Sequence, residues 1–192
     1  MPRAGSAPKF FSPPTLVIPS PSRLLGACLL VGLSVLSLPQ PGQAQDTPDA
    51  FQDALLDDLV GDWTMQGHVR GDSVTYRAEA AWVLGHQFLR LRMADVNTPP
   101  QYAAHVYVGY DAETEAYVAH WLDDTGGRAS KTLGTGTRNG DVLTFRFDYP
   151  SGPFRTVFER TAPARWEIHM RAKGDDGNWQ PFADYALTPH SQ

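Results

Sequence analysis

The chain has 192 residues with 16 Lys+Arg, 21 Asp+Glu and one cysteine, for a net charge of −5. Its first 44 residues hold Arg3, Lys9 and Arg23 and no acid, so the remaining 148 carry 13 basic and 21 acidic side chains, one domain's length with a core of its own. That acidic balance argues against a nucleic-acid surface, whose affinity rests on neutralising many phosphates. The single cysteine, Cys28, lies in those first residues, which leaves the rest without a disulfide, a thiolate metal site or a cysteine nucleophile.

Leu24 to Leu38 reads LLGACLLVGLSVLSL, an uncharged apolar run after Arg23 and before Pro39. It is short of the about 20 residues a spanning helix needs. Gly42-Gln43-Ala44 then supplies small residues at the −3 and −1 positions of a signal-peptidase site. We therefore expect residues 1–44 to be a signal peptide cut after Ala44, with an uncleaved anchor as the alternative, and the protein to be exported, periplasmic or secreted. Leu25-Gly26-Ala27-Cys28 has the form of a lipobox, but Cys28 falls early in the apolar run, where a lipid-modified cysteine would close it.

Residues 45–50 are polar and predicted to be mobile. Phe51, Ala54, Leu55 and Leu59 then recur at helical spacing among Asp53, Asp57 and Asp58, which predicts a short amphipathic helix ending at Gly61.

From Asp62 turn signals recur every 8 to 14 residues, among them Gly71, Gly85, Asn97 to Pro100, Asn139-Gly140 and Gly174 to Gly177. The segments between are rich in Trp, Tyr, Phe, Val and Thr, and several alternate cleanly. Leu89, Leu91 and Met93 oppose Arg90 and Arg92. Leu143, Phe145 and Phe147 oppose Thr144, Arg146 and Asp148. Trp166, Ile168 and Met170 oppose Glu167, His169 and Arg171. Period two with one apolar face predicts strands over 62–70, 73–84, 87–95, 101–110, 116–123, 129–138, 141–149, 154–162, 165–173 and 178–188. Short connections make sequence neighbours antiparallel neighbours, and no segment is long enough for a parallel crossover or a Greek-key return. The fold class is all-β, an antiparallel up-and-down barrel of about ten strands with a short N-terminal helix, over residues 51–190.

Leu59-Val60-Gly61-Asp62-Trp63, Trp82 to Leu89, Val108-Gly109-Tyr110-Asp111 and Tyr117 to Asp123 together resemble the bacterial domain-of-unknown-function family 1579, over residues 55 to 188. The resemblance implies a lipocalin-like, calycin-type barrel and no particular activity. Gly61-Asp62-Trp63 is similar to the Gly-x-Trp of lipocalins, which implies that Trp63 plugs one end of the barrel. The lipocalin arginine of the last strand has no counterpart after Arg171. Thr188-Pro189-His190 is similar to the Thr-Pro-His of the haem-binding nitrobindin barrels. Here it stands at the chain's last residues, which makes His190 a frayed surface residue.

A barrel of this size can enclose a small ligand. The apolar faces make Leu89, Leu91, Met93, Phe145, Phe147, Trp166, Ile168 and Met170, with Tyr107, the candidate lining of a lumen for a small apolar molecule. His105 and His120 fall on consecutive strands. A four-residue loop between Tyr110 and Glu115 would set them face to face, where they could hold a metal or haem. With no third ligand in view, no cofactor is expected. The chain contains no Gly-x-Ser-x-Gly, His-Glu-x-x-His, phosphate loop or dinucleotide fingerprint. Three readings follow: an exported binding barrel, monomeric or weakly dimeric; a haem, metal or catalytic protein using lumen histidines; and an envelope scaffold whose barrel is filled.

Overall fold

The computed structural model describes residues 49–191. The signal peptide expected over 1–44, its cut after Ala44 and residues 45–48 lie outside the described residues.

A short helix α1 (Ala54–Asp57) leads into β1 (Gly61–Val69), β2 (Asp72–Val83), β3 (Phe88–Asp95), β4 (Ala103–Asp111) and β5 (Ala116–Asp123). A helical turn α2 (Gly127–Ser130) precedes β6 (Leu133–Asn139), β7 (Val142–Tyr149), β8 (Gly152–Ala162), β9 (Arg165–Lys173) and β10 (Trp179–Pro189). Every strand pairs antiparallel with its sequence neighbours, and β10 returns to β1 to close the barrel. The ten expected strands are present, most within two residues of their expected bounds. The sixth is the exception, because residues 127–130 coil into α2.

Local chemistry accounts for the joints. Asp53 caps α1, its Oδ1 accepting from the backbone N–H of Leu55 and Leu56 at 2.9 and 3.0 Å. The Asn-Gly signal lies one residue out of place: Asn139 still pairs with Val142, and Gly140, at φ 59°, opens a two-residue loop that needs a positive φ at its first position. On β3, β7 and β9 the apolar alternates point inward and the charged ones outward.

The interior is a continuous core. Met65, Phe145, Ile168, Leu187 and Ala119 are at 0% exposure, and Trp166, Leu89, Leu91 and Phe147 at 2% or less. Leu55 and Leu56 from α1 and Leu59 from the turn after it join the core, closing the end where β1 begins. Burying each of those leucines stabilises the fold by about 1.5–3 kcal/mol. No helix among the described residues is long and apolar enough to cross a membrane.

Candidate functional site

At the α1 end the carboxylate of Asp53 is a hub. Besides the two helix N–H groups it accepts from Arg138 Nη1 on β6 at 2.9 Å and from the Tyr117 phenol on β5. Burial, and then the bond to Asp53, push the Tyr117 phenol up to about 12. Around the hub, Phe51 stacks on Tyr110 with ring centres 5.5 Å apart, and Trp82 Nε1 donates to Asp57 at 2.8 Å. Trp63 is buried, and its Nε1 donates to Leu59 O at 2.8 Å, which ties the first strand to the residue that leaves α1. Trp63 stands near the start of β1, beside α1.

The opposite end is polar and aromatic. Tyr76, Tyr102, Trp121 and Tyr185 point inward there; Tyr76 lies 5.8 Å from Tyr102 and 5.9 Å from Tyr185, ring centre to ring centre. Trp121 Nε1 donates to the Tyr102 hydroxyl at 3.1 Å, and that hydroxyl donates to Asp123 Oδ2 at 3.4 Å. Tyr149 stacks on Phe147 and meets Phe154 edge-on. Burial raises the pKa of Tyr76, Tyr102 and Tyr185, and burial with the field of Asp123 pushes Tyr149 up to about 12. Phenols held so far above neutrality stay protonated. They can donate and accept hydrogen bonds, but they are poorly matched to proton transfer at neutral pH.

The eight expected lumen residues, Leu89, Leu91, Met93, Phe145, Phe147, Trp166, Ile168 and Met170, are all inward and buried. All eight belong to one buried cluster, each at 7% exposure or less. Tyr107 is not among them. Val106 and Val108 take the inward positions of β4, so Tyr107 and His105 stand on the outer surface. The register also differs from expectation: Asp111 pairs with Ala116, so Tyr107 faces His120 and His105 faces Leu122. His105 and His120 share a face, as expected, but it is the outer one, and they are offset instead of opposed. His120 Nε2 bonds Ser130 O at 2.5 Å. Among the described residues no three His, Cys, Asp or Glu side chains group as a metal site. His190 is not frayed. Its N–H extends the β10–β1 ladder to Asp62 O at 2.8 Å, and its ring meets Thr64 and Arg77 on the outer face.

Sequence reasoning missed both end clusters. The tyrosine end was readable by carrying period two past the apolar runs: Tyr149 follows Leu143, Phe145 and Phe147, and Tyr185 precedes Leu187. The Asp53 hub left no such signal, because its partners lie 64 and 85 residues away.

A profile of the DUF1579 family, described as proteins of unknown function, matches residues 50–188. The chain belongs to that family. The match runs through both end clusters of this DUF1579 barrel and covers all ten strands but for the last residue of β10. No curated protein matches the chain. The crystal structure of Rv2717c from M. tuberculosis is similar at 13% identity and a TM-score of 0.47, over 73% of this chain and 100% of that one.

Proposed function

We propose that this protein is an exported, non-enzymatic barrel with a filled interior that does its binding on the outside. The observation that carries this is the packing of the lumen. From Leu59 and Trp63 at one end to Tyr76 and Tyr185 at the other, the inward side chains are buried against one another. A ligand pocket needs a cavity of a few hundred Å³ beside its lining. The raised phenols are poor proton carriers at neutral pH, and His105 and His120, on the outer face, place no haem ligand in the lumen. Export rests on the apolar run Leu24 to Leu38 and on Gly42-Gln43-Ala44.

The test is titration of the full-length protein with a fluorescent fatty-acid probe, read by tryptophan quenching. The expected result is no saturable binding and no rise in melting temperature. Micromolar, one-to-one binding, worth about −8 kcal/mol, overturns the filled-barrel reading. N-terminal sequencing of the exported protein is expected to begin at Gln45; a chain beginning at Cys28 would mean lipidation.

One observation favours a second reading, a small guest admitted from the tyrosine end. Thr156 Oγ1 and Trp166 Nε1 are buried in the lumen with no hydrogen-bond partner. Buried polar groups usually find one, and a polar guest is one way to supply it. The same titration, repeated with an aromatic amine or phenol, addresses that reading.

A further inference from the structure

Three arginines stand in one row on the outer surface: Arg146 of β7 faces Arg155 of β8, and Arg155 faces Arg171 of β9. Facing positions on adjacent strands bring side chains within contact, and like charges there are destabilising. The two outer members carry their own compensation. Arg146 donates to Asp148 Oδ1 from Nε and Nη2 at 3.0 and 2.8 Å. Arg171 donates to Asp184 Oδ1 at 2.6 Å and to the carbonyls of Met170 and Ala183.

The central arginine has none. Among the described residues no carboxylate lies within ion-pair reach of Arg155, and its Nε is buried without an acceptor. What holds it is the ring of Trp179, whose centre lies 4.8 Å from the guanidinium carbon. Lys173 Nζ lies 5.9 Å from the same ring centre. Of the two acids in the adjoining turn, Asp175 and Asp176, the second accepts from the backbone and side-chain amides of Asn178, and neither forms an ion pair with Arg155 or Lys173. The patch thus gathers Arg146 and Arg171, each paired with a carboxylate, and Arg155 and Lys173, which have no ion pair among the described residues and share the ring of Trp179. At its centre stands an arginine kept from its neighbours' counter-charges.

We propose that this outer face, beside the tyrosine end of the barrel, is an anion site centred on Arg155 and selective for a phosphomonoester-type group. A guanidinium fixed in plane by an aromatic ring presents paired N–H donors that fit phosphate oxygens bidentately. A dianion suits the two cations that have no ion pair, Arg155 and Lys173. It also relieves the repulsion along the row, so binding and fold stability are coupled. The site goes beyond the filled-barrel reading and stands whether or not the lumen admits a guest. A free phosphate compound and a phosphatidic-acid headgroup share this chemistry.

The experiment uses the full-length protein labelled with nitrogen-15, titrated with inorganic phosphate at constant ionic strength set by chloride. Saturable shifts of the Arg155 Nε–H and Trp179 Nε1–H signals are expected. Arg155→Gln should weaken binding by about tenfold or more while leaving the melting temperature unchanged or higher, because it removes the central like charge. Arg165→Gln, at the other end of β9, should bind as the parent does. Flotation with phosphatidic-acid and phosphatidylcholine vesicles separates the sources. Arg155-dependent capture on the former alone points to a headgroup, and phosphate binding without capture points to a free compound. Shifts that chloride reproduces, that never saturate, or that survive Arg155→Gln overturn the proposal.

Discussion

The phenol of Tyr117 donates to the carboxylate of Asp53, so a residue of β5 is bonded to the N-cap of the helix that closes the barrel. Arg138 meets the same carboxylate from β6. One buried acid thus joins the helix start to two strands, and the plug is held by directed bonds as well as by Leu55, Leu56 and Leu59. Asp53→Ala removes the cap and leaves the Tyr117 hydroxyl and the Arg138 guanidinium without their acceptor. The expected loss is about 2–4 kcal/mol, read from the urea midpoint. Asp53→Asn, which keeps an acceptor but not the charge, should fall between that variant and the parent. A loss under about 0.5 kcal/mol for Asp53→Ala would mean that the network does not secure α1.

The tyrosines make a pH prediction. Tyr117 and Tyr149 are pushed up to about 12 in the folded protein, from an ordinary value near 10, and Tyr76, Tyr102 and Tyr185 are raised in the same direction. A raised folded pKa means that the native state holds the proton more tightly than the unfolded chain does. The resulting stability is complete below about pH 10 and is lost as the pH climbs through about 12. Absorbance near 295 nm should therefore show fewer tyrosinates at pH 11 in buffer than in concentrated urea, with stability declining over that window. Identical titrations in the two solvents would mean that the tyrosine end is open to water.

Trp63 follows the helix–glycine junction at the start of β1. It is buried, and its indole N–H reaches Leu59 O. Trp63→Ala should cost about 3–5 kcal/mol as a core truncation. Trp63→Phe keeps most of the apolar surface but strands the Leu59 carbonyl, and should cost about 1–2 kcal/mol. Urea midpoints of the two variants check the order.

How far the sequence could be read follows from the range of the forces. Period two on β3, β7 and β9 is a property of adjacent residues, so inside and outside were readable there. On β4 the alternates Ala104, Val106, Val108 and His105, Tyr107, Gly109 are both acceptable to a strand, and Tyr107 was assigned to the wrong side. The β4–β5 register turned on one loop: Asp111 accepts from Glu113 N and Thr114 Oγ1, which moves the turn one residue along. That slip shifts every facing pair by two positions in sum and separates His105 from His120. The arginine row depends on the registers of two successive hairpins, and the Asp53 hub on a helix start meeting two distant strands at the barrel's end. No local pattern reports the second.

Two strands carry glycines with no room for a Cβ: β6, where aromatic rings cross from the neighbour, and β1, where the neighbour's backbone does. On β6, a Cβ added to Gly136 would lie 2.5 Å from Phe145 Cδ1, and one added to Gly134 would lie 2.6 Å from Phe147 Cζ. Gly136→Ala must displace a ring that is itself at zero exposure, and should destabilise by about 1–3 kcal/mol despite alanine's lower chain entropy. Gly67→Ala on β1 should be worse, since its Cβ would lie 1.9 Å from the Asp184 carbonyl oxygen, part of the backbone. A thermal melt of the three proteins should rank parent, Gly136→Ala, Gly67→Ala in falling order.

The filled lumen makes its own demand on mutation. Phe145 sits in the barrel wall with no exposure, edge-on to Phe158 at 6.0 Å and flanked by Gly136 and Thr156 on the facing strands. Phe145→Ala deletes a ring from a packed interior. The expected cost is about 3–5 kcal/mol, transfer free energy plus the cavity left behind. A cavity lined by such side chains stays dry and accepts small apolar molecules. The variant should therefore regain stability in the presence of benzene or indole, and the parent should not, because a guest stabilises a protein only where the folded state gives it room. Melting curves of both proteins with and without the guest measure this directly. A parent protein that gains as much as the variant would mean that the barrel already holds a space of that size, and the ligand reading would then displace the filled one. A variant that gains nothing, yet unfolds as early as expected, would mean that the neighbouring side chains collapse into the gap.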